Sequence, residues 1–468
     1  MASSPPSSPL PHLLVFPYPA QGHMLPLLDL THFLASYGFT ITILVTPKNL
    51  PILQPLLSAH PLVQTLVLPF PSVPDLPPGV ENVKDIGGQG NVPIMVALRQ
   101  LQDPVLEWFK SHPSPPSAII SDFFLGWTES LARKLQIPRV TFYSSGAWVV
   151  DILDYCWRHI QSEDFRKSPV KHMTELPNSP SFTNQDLPEF VTTYEDSDPQ
   201  WQTIRSDWFE TRTCWAGVFN TFEALEHDYL DYFRKLNNGG SVFGVGPLSL
   251  IHSHSPPADS SSDEILKWLD GCPDDSVLYV SFGSQKQLNQ QQMEALASGL
   301  EKSGIRFVWV VKTIHQTVGG SDGIPTGFED RVSDRGIVVR RWAPQVAILN
   351  HPAVGGFLSH CGWNSVLESL VSGIPIFGWG MEGDQLMNSK ILVDHVGVAV
   401  QVCHGENSVP DSDQLGKVIA GSFNSDELRA KAKALSKAVV EAAGPNGSSV
   451  RDLQEFANKL ASLPQPSN

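Results

Sequence analysis

Two histidines stand where this 468-residue chain could do chemistry. His23 falls in the turn after the apolar run HLLVF, and His360 follows the run AVGGFLS. An imidazole exchanges protons near neutral pH, yet at a helix start it can equally cap or pack. Asp122 ends another apolar run, AIISD. A carboxylate there either caps the helix that follows or accepts an imidazole N–H and steadies the imidazolium. The second cluster is denser. His360, Trp363, Asn364, Ser365 and Glu368 crowd one strand–turn–helix junction, and Asp384 with Gln385 opens the next helix. Unpaired N–H groups and the positive helix end make such a junction an anion site. Ser365-x-x-Glu368 also has the spacing of a capping box, so both residues could serve only their own helix. That reading leaves His360, Trp363 and Asn364 unexplained.

These side chains need a scaffold that gathers strand ends. The runs at 12–16, 39–45, 62–68 and 117–122 alternate with helical patterns, which implies a parallel α/β layer. Such sheets bind ligands at the carboxyl ends of their strands. The pattern returns in the second half with VLYVSFGSQ, IRFVWVV, GIVVRRW, GIPIF and VGVAVQV. In the Gly-Ser turn of the first of these, Ser284 is placed to meet a phosphate. The length favours two lobes. The plainest linker is HSHSPPADSSS, giving an expected division into 1–250, a linker at 251–262, a second lobe at 263–445 and a final helical stretch at 446–468. The proline-broken segments 69–91 and 161–200 are the expected places for substrate specificity.

Composition excludes several classes. A formal charge of −16 repels phosphate polymers and anionic membranes, so nucleic acid and membrane surfaces are not expected partners. Five scattered cysteines without a CxxC pair suit a reducing compartment and no structural zinc. The N-terminal stretch has no basic region, its apolar run is cut by Pro17 and Pro19, and no run approaches the ~20 residues of a membrane span. A cytoplasmic protein with no integral membrane segment is expected. Asp196/Asp198 and Asp411/Asp413 form Asp-x-Asp pairs that read as solvated or capping rather than metal-binding. GVGPLS at 244–249 lacks the third glycine of a dinucleotide fingerprint, and no GxSxG, HExxH or Walker A sequence occurs.

The segment Trp342 to Gln385, from WAPQ to EGDQ, spans 44 residues. It resembles, without insertion, the donor-binding box of the plant secondary-product UDP-glycosyltransferases. PAQGHMLP around His23 and NTFEALE at 220–226 resemble further stretches of that family. The resemblance implies a GT-B fold, two Rossmann-like α/β lobes facing a central cleft, with the acceptor on the first lobe and UDP-sugar on the second. It implies that His23 is the general base and Asp122 its partner. Trp342 would stack on uracil, with Ala343 and Gln345 supplying hydrogen bonds to the base. Ser284, His360, Asn364 and Ser365 would hold the diphosphate, and Glu368 would accept from ribose hydroxyls. Trp363 would shape the sugar pocket, Asp384 and Gln385 would bind the hexose, and the last helix would return to the first lobe.

The implied reaction is an inverting transfer of a hexose to a hydroxyl of a small lipophilic acceptor such as a flavonoid, by a monomer using no metal or other cofactor. The terminal Gln385 points to UDP-glucose first, with UDP-rhamnose, UDP-xylose and UDP-galactose as alternatives. A non-catalytic nucleotide-sugar-binding protein is the rival, but it would have no need of His23 and Asp122. One departure stands out: the family usually has Pro where Gly380 stands and often Ala where Gly383 stands. Two glycines there are expected to loosen the backbone facing the sugar.

Overall fold

Short runs of β-branched and aromatic residues, flanked by Pro, Gly and polar turns, become strands, and the central ones are buried on both faces, as parallel sheets covered by helices require. A computed structural model describes residues 10–87, 90–237, 239–251, 260–283, 286–311 and 323–465. Most of the expected 251–262 linker, and Ser284, lie outside the described residues. The strands in the first part are β1 (His12–Phe16), β2 (Thr40–Val45), β3 (Val63–Val67), β4 (Ala118–Asp122), β5 (Arg139–Tyr143), β6 (Val170–His172), β7 (Ser181–Thr183), β8 (Ala216–Phe219) and β9 (Ser241–Gly244). Those that follow are β10 (Val277–Ser281), β11 (Arg306–Val310), β12 (Gly336–Val339), β13 (Val354–Ser359), β14 (Ile376–Gly380) and β15 (Ala399–His404).

The chain forms two units, and the division follows contacts rather than sequence order. One contains residues up to Ser181, Phe190–Ser255 and Glu441 onward; the other contains Phe182–Glu189 and Pro256–Val440. The first unit holds a seven-stranded sheet in the order β3-β2-β1-β4-β5-β8-β9, and every pairing is parallel. β1 lies beside β4 with Phe16 opposite Ser121, so the turn after β1 and Asp122 emerge as neighbours. The second unit holds a six-stranded parallel sheet in the order β12-β11-β10-β13-β14-β15. There Ser281 pairs with Ser359, and Ser359 with Gly378, which aligns the ends of β10, β13 and β14.

The last helix, Ser448–Ala461, belongs to the first unit. Its Leu453, Phe456 and Leu460 sit fully inside the cluster that also contains Leu13, Val15 and Phe243. Asp452 Oδ2 accepts from the Gly244 N–H at 2.8 Å, and Ser449 Oγ donates to the Gly246 carbonyl at 2.6 Å. Segment 182–189, from the region expected to read the acceptor, groups instead with the second unit. His404 Nε2 there lies 3.0 Å from the Gln185 carbonyl and 3.3 Å from Asp186 Oδ1. Asp198 and Asp411 each cap a helix, accepting from Gln200 N and Gln414 N, while Asp413 pairs with Lys302.

Removing the Phe456 ring would leave a cavity against Phe243, whose ring centre is 5.6 Å away. Phe456→Ala should cost about 3–5 kcal/mol in chemical denaturation. A loss below ~1 kcal/mol would mean that the terminal helix does not complete this core.

Candidate active site

His23 is the third residue of the helix Gln21–Tyr37, which starts directly after the β1 turn. Its Nδ1 lies 2.9 Å from Asp122 Oδ2; the carboxylate is fully buried and the imidazole 20% exposed. An ionised carboxylate only accepts, so it selects the tautomer with the proton on Nδ1 and leaves Nε2 for a substrate hydroxyl. Asp122 does not cap the following helix, whose N-cap is Gly126. Its second oxygen accepts from the Phe124 N–H at 2.9 Å, closing the turn that places Phe123 and Phe124. Phe123 stacks on the imidazole at 5.4 Å and 13°, Phe124 lies against it at 4.7 Å, and Tyr18 meets it edge-on at 5.2 Å. Tyr18 is itself held by its hydroxyl donating to Asn91 Oδ1 at 2.9 Å. Segment 69–91 also reaches this turn, Val83 N donating to the Pro19 carbonyl at 3.0 Å. The packed aromatics and the buried acceptor confine the imidazole to one orientation.

In the second unit, β13 delivers His360, and Cys361 turns the chain with φ +62° into the helix Trp363–Ser372. The N-cap is Gly362, and no side chain caps the helix. The capping box that the spacing of Ser365 and Glu368 allowed is not formed, because the helix begins three residues earlier than that spacing requires. Both residues are instead linked through Gln345, whose Nε2 donates to Glu368 Oε2 at 2.6 Å and Ser365 Oγ at 3.2 Å. Gln345 Oε1 accepts from the Tyr279 hydroxyl at 3.3 Å. The Gln345 N–H also donates to the Ala343 carbonyl at 2.9 Å, so the groups expected to meet uracil are engaged with each other.

His360 lies between two glycines. A Cβ on Gly283 would stand 2.8 Å from its Cε1 and Nε2, and one on Gly362 would stand 2.6 Å from Nε2. Gly283 also has φ +72°, a backbone region that favours glycine. Enclosure lowers the His360 pKa from 6.5 to about 4, and the Lys286 charge acts in the same direction. The ring is uncharged at neutral pH, so it can offer a phosphate a hydrogen bond but not a full positive charge. Its Nδ1 is buried with no hydrogen-bond partner among the described residues.

Trp342 is 55% exposed, whereas Trp127, Trp148, Trp309 and Trp379 are each at most 1% exposed. An indole left largely in solvent is a stacking surface rather than a piece of core. Trp363 is buried, and Asn364 sits beside it in the first turn of the helix. Asp384 opens the helix Asp384–Ile391. Asn388 Nδ2 donates to Asp384 Oδ2 at 3.1 Å and to the Cys361 carbonyl at 3.0 Å, tying the β14 turn to the β13 turn. Gln385 Oε1 accepts from Glu382 N at 3.4 Å. Gly380 does not loosen this turn. It is buried at the end of β14, and a Cβ there would stand 2.6 Å from the Gln385 carbonyl oxygen, so glycine permits a close approach. Gly383, with φ +57° and nothing within 4 Å, fits the expectation of an open backbone.

A family model described as UDP-glucoronosyl and UDP-glucosyl transferase matches residues 249–428. Over 464 residues the chain is 50% identical to UDP-glycosyltransferase 89A2 of Arabidopsis thaliana, covering 96% of each chain. The chain belongs to the plant UDP-glycosyltransferase family. This UDP-glycosyltransferase is also 44% identical to the flavonol 3-O-glucosyltransferase UGT89B1 of the same plant, covering 97% of this chain and 96% of that one. The crystal structure of Arabidopsis thaliana UGT89C1 complexed with UDP-L-rhamnose matches it with a TM-score of 0.79 at 33% identity, covering 97% of this chain and 100% of that one. UGT89C1 has also been solved with quercetin. The two parallel-sheet units are those of the GT-B fold.

Sequence reasoning missed several parts of the transferase's sites. Phe123 and Phe124 wall the imidazole, Gly283 and Gly362 make room for His360, and Tyr279 and Asn388 fix the groups beside it. The one visible signal was Gly362, two residues after His360. The rest depends on distances that no spacing carries.

Burial raises the Glu368 carboxyl from 4.5 to about 7, with the Gln345 hydrogen bond pulling the other way. The folded pKa lies above the unfolded one, so this group favours folding most at low pH and loses that contribution as pH rises through about 7. A carboxylate accepts two hydroxyl donors better than a carboxylic acid. UDP affinity measured by calorimetry should therefore rise as pH passes upward through about 7, and that portion of the rise should vanish in Glu368→Gln. Identical pH profiles for both proteins would rule out ribose binding by this carboxylate.

Proposed function

We propose that this UDP-glycosyltransferase transfers glucose from UDP-glucose to a hydroxyl of a small phenolic of the flavonol class, with inversion at the anomeric carbon. The observation that carries the catalytic part is the 2.9 Å contact between His23 Nδ1 and the buried Asp122 carboxylate. His23 Nε2 takes the acceptor proton as the oxygen attacks the anomeric carbon. The bond from that carbon to the UDP oxygen breaks, and its electron pair leaves with the diphosphate. Asp122 stabilises the imidazolium, as the third member of a triad does. The first unit supplies the base, and the second supplies the grip on the nucleotide.

Charge grows on the leaving diphosphate, so groups fixed beforehand around it contribute most to the rate. In this reading the start of the helix Trp363–Ser372, with Asn364, Ser365 and uncharged His360, takes that role, and Ser284 adds a hydroxyl. Trp342 stacks on uracil, Glu368 accepts from the ribose, and Asp384 with Gln385 reads the hexose. No metal enters, and the protein works as a cytoplasmic monomer. The likeness to a flavonol glucosyltransferase supports the acceptor class, and Gln385 supports glucose. UDP-rhamnose is the second donor reading, favoured by the likeness to UGT89C1.

His23→Ala should lower kcat with a flavonol acceptor by about 10²–10⁴-fold while leaving UDP affinity unchanged. Asp122→Asn should lower kcat less than His23→Ala does. Product mass from UDP-glucose, UDP-rhamnose, UDP-xylose and UDP-galactose identifies the sugar. Unchanged turnover in His23→Ala would remove the catalytic assignment, and a preference for another donor would remove glucose.

A further inference from the structure

Lys286 has no part in the assignments above, yet it is held more firmly than any surface lysine needs to be. Its ammonium lies 2.5 Å from Glu382 Oε2 and 2.6 Å from Glu406 Oε1, and its side chain is 9% exposed. The two carboxylates come from separate turns. Glu382 belongs to the turn between β14 and the helix Asp384–Ile391, and Glu406 to the turn after β15. The Glu406 side is braced by backbone: Gly405 N donates to the Gly380 carbonyl at 2.7 Å, and Gln292 Nε2 donates to the Glu406 carbonyl at 2.7 Å. The Glu382 turn is braced within itself, Gln385 N donating to the Glu382 carbonyl at 3.0 Å and Gln385 Oε1 accepting from Glu382 N at 3.4 Å, while a Cβ on Gly383 would meet nothing within 4 Å.

The ion pair is thus a side-chain tie between the segment after β10 and the stretch presenting Asp384 and Gln385. Solvent-exposed pairs contribute little, but this ammonium is shielded between two carboxylates. Removing it leaves the partly exposed Glu382 and Glu406 facing each other without the cation between them, which favours a shift of the Glu382 turn.

We propose that Lys286 is a positioning residue for donor-sugar recognition: by holding Glu382 it fixes the turn that offers Asp384 and Gln385 to the hexose. The inference rests on the proposed reading of that turn as the hexose subsite. A mobile turn should weaken hexose binding and blur the choice among sugars, while the uracil and diphosphate contacts stay intact.

The test uses the full-length transferase, with Lys286→Met, Lys286→Arg and Glu382→Ala. UDP affinity is read by calorimetry, and KM, kcat and relative kcat/KM across UDP-glucose, UDP-rhamnose, UDP-xylose and UDP-galactose are read by product mass. Lys286→Met should raise KM for the preferred UDP-hexose about tenfold and narrow the preference among sugars, with UDP affinity within about twofold of wild type. Lys286→Arg should restore both, since it keeps the charge and the donors. Glu382→Ala breaks the same tie and carries the same expectation should Lys286→Met fail to fold. A fall in UDP affinity equal to the rise in KM would overturn the proposal, because Lys286 would then grip the diphosphate itself. An unmoved KM and sugar preference would overturn it too. Absence of UDP binding in the wild type would instead remove the parent reading of the site.

Discussion

Every candidate side chain owes its place to the parallel pairing of both sheets. Strands running one way bring all their carboxyl ends to one edge, where the turns can share a ligand. In the first sheet, Phe16 opposite Ser121 sets the β1 turn beside Asp122, so a histidine and an aspartate 99 residues apart meet at 2.9 Å. In the second, the pairings of Ser281 with Ser359 and of Ser359 with Gly378 align the turns that carry Gly283, His360 and the Gly380–Gln385 stretch. A slip of one residue would turn these side chains to opposite faces.

The two sites solve different electrostatic problems. Around His23 the protein supplies one buried carboxylate and aromatic walls, which fix the tautomer and leave one nitrogen for chemistry. Around His360 it supplies enclosure instead, so the ring is uncharged and an anion must be met by hydrogen bonds and the helix start. The positive charge that His360 senses, Lys286, is paired with two carboxylates.

Much of this was legible in the residues. The alternation of apolar runs and helical patterns gave both sheets, and the positions of His23 and Asp122 at strand ends gave their meeting. Trp342 could not be told from a core tryptophan until its exposure was known. Other features depend on tertiary distances. Ser365 and Glu368 match a capping box, but the N-cap is Gly362, where His360 occupies the space that a side chain would fill. Gly380 looked like a source of looseness, whereas the Gln385 carbonyl packs directly against it. Segment 182–189 lies far in sequence from β15, and tertiary contacts such as those with His404 group it with the second unit.

The claim on which the chemistry turns is that Asp122 fixes the proton of the neutral His23 ring on Nδ1 and leaves the Nε2 lone pair for the acceptor hydroxyl. Nitrogen-15 chemical shifts of the His23 ring, assigned by comparison with His23→Gln, measure this directly. The expected result is a protonated Nδ1 and an unprotonated Nε2 in the neutral ring, with the preference lost in Asp122→Asn. A neutral ring carrying its proton on Nε2 would contradict the assignment of His23 as the base.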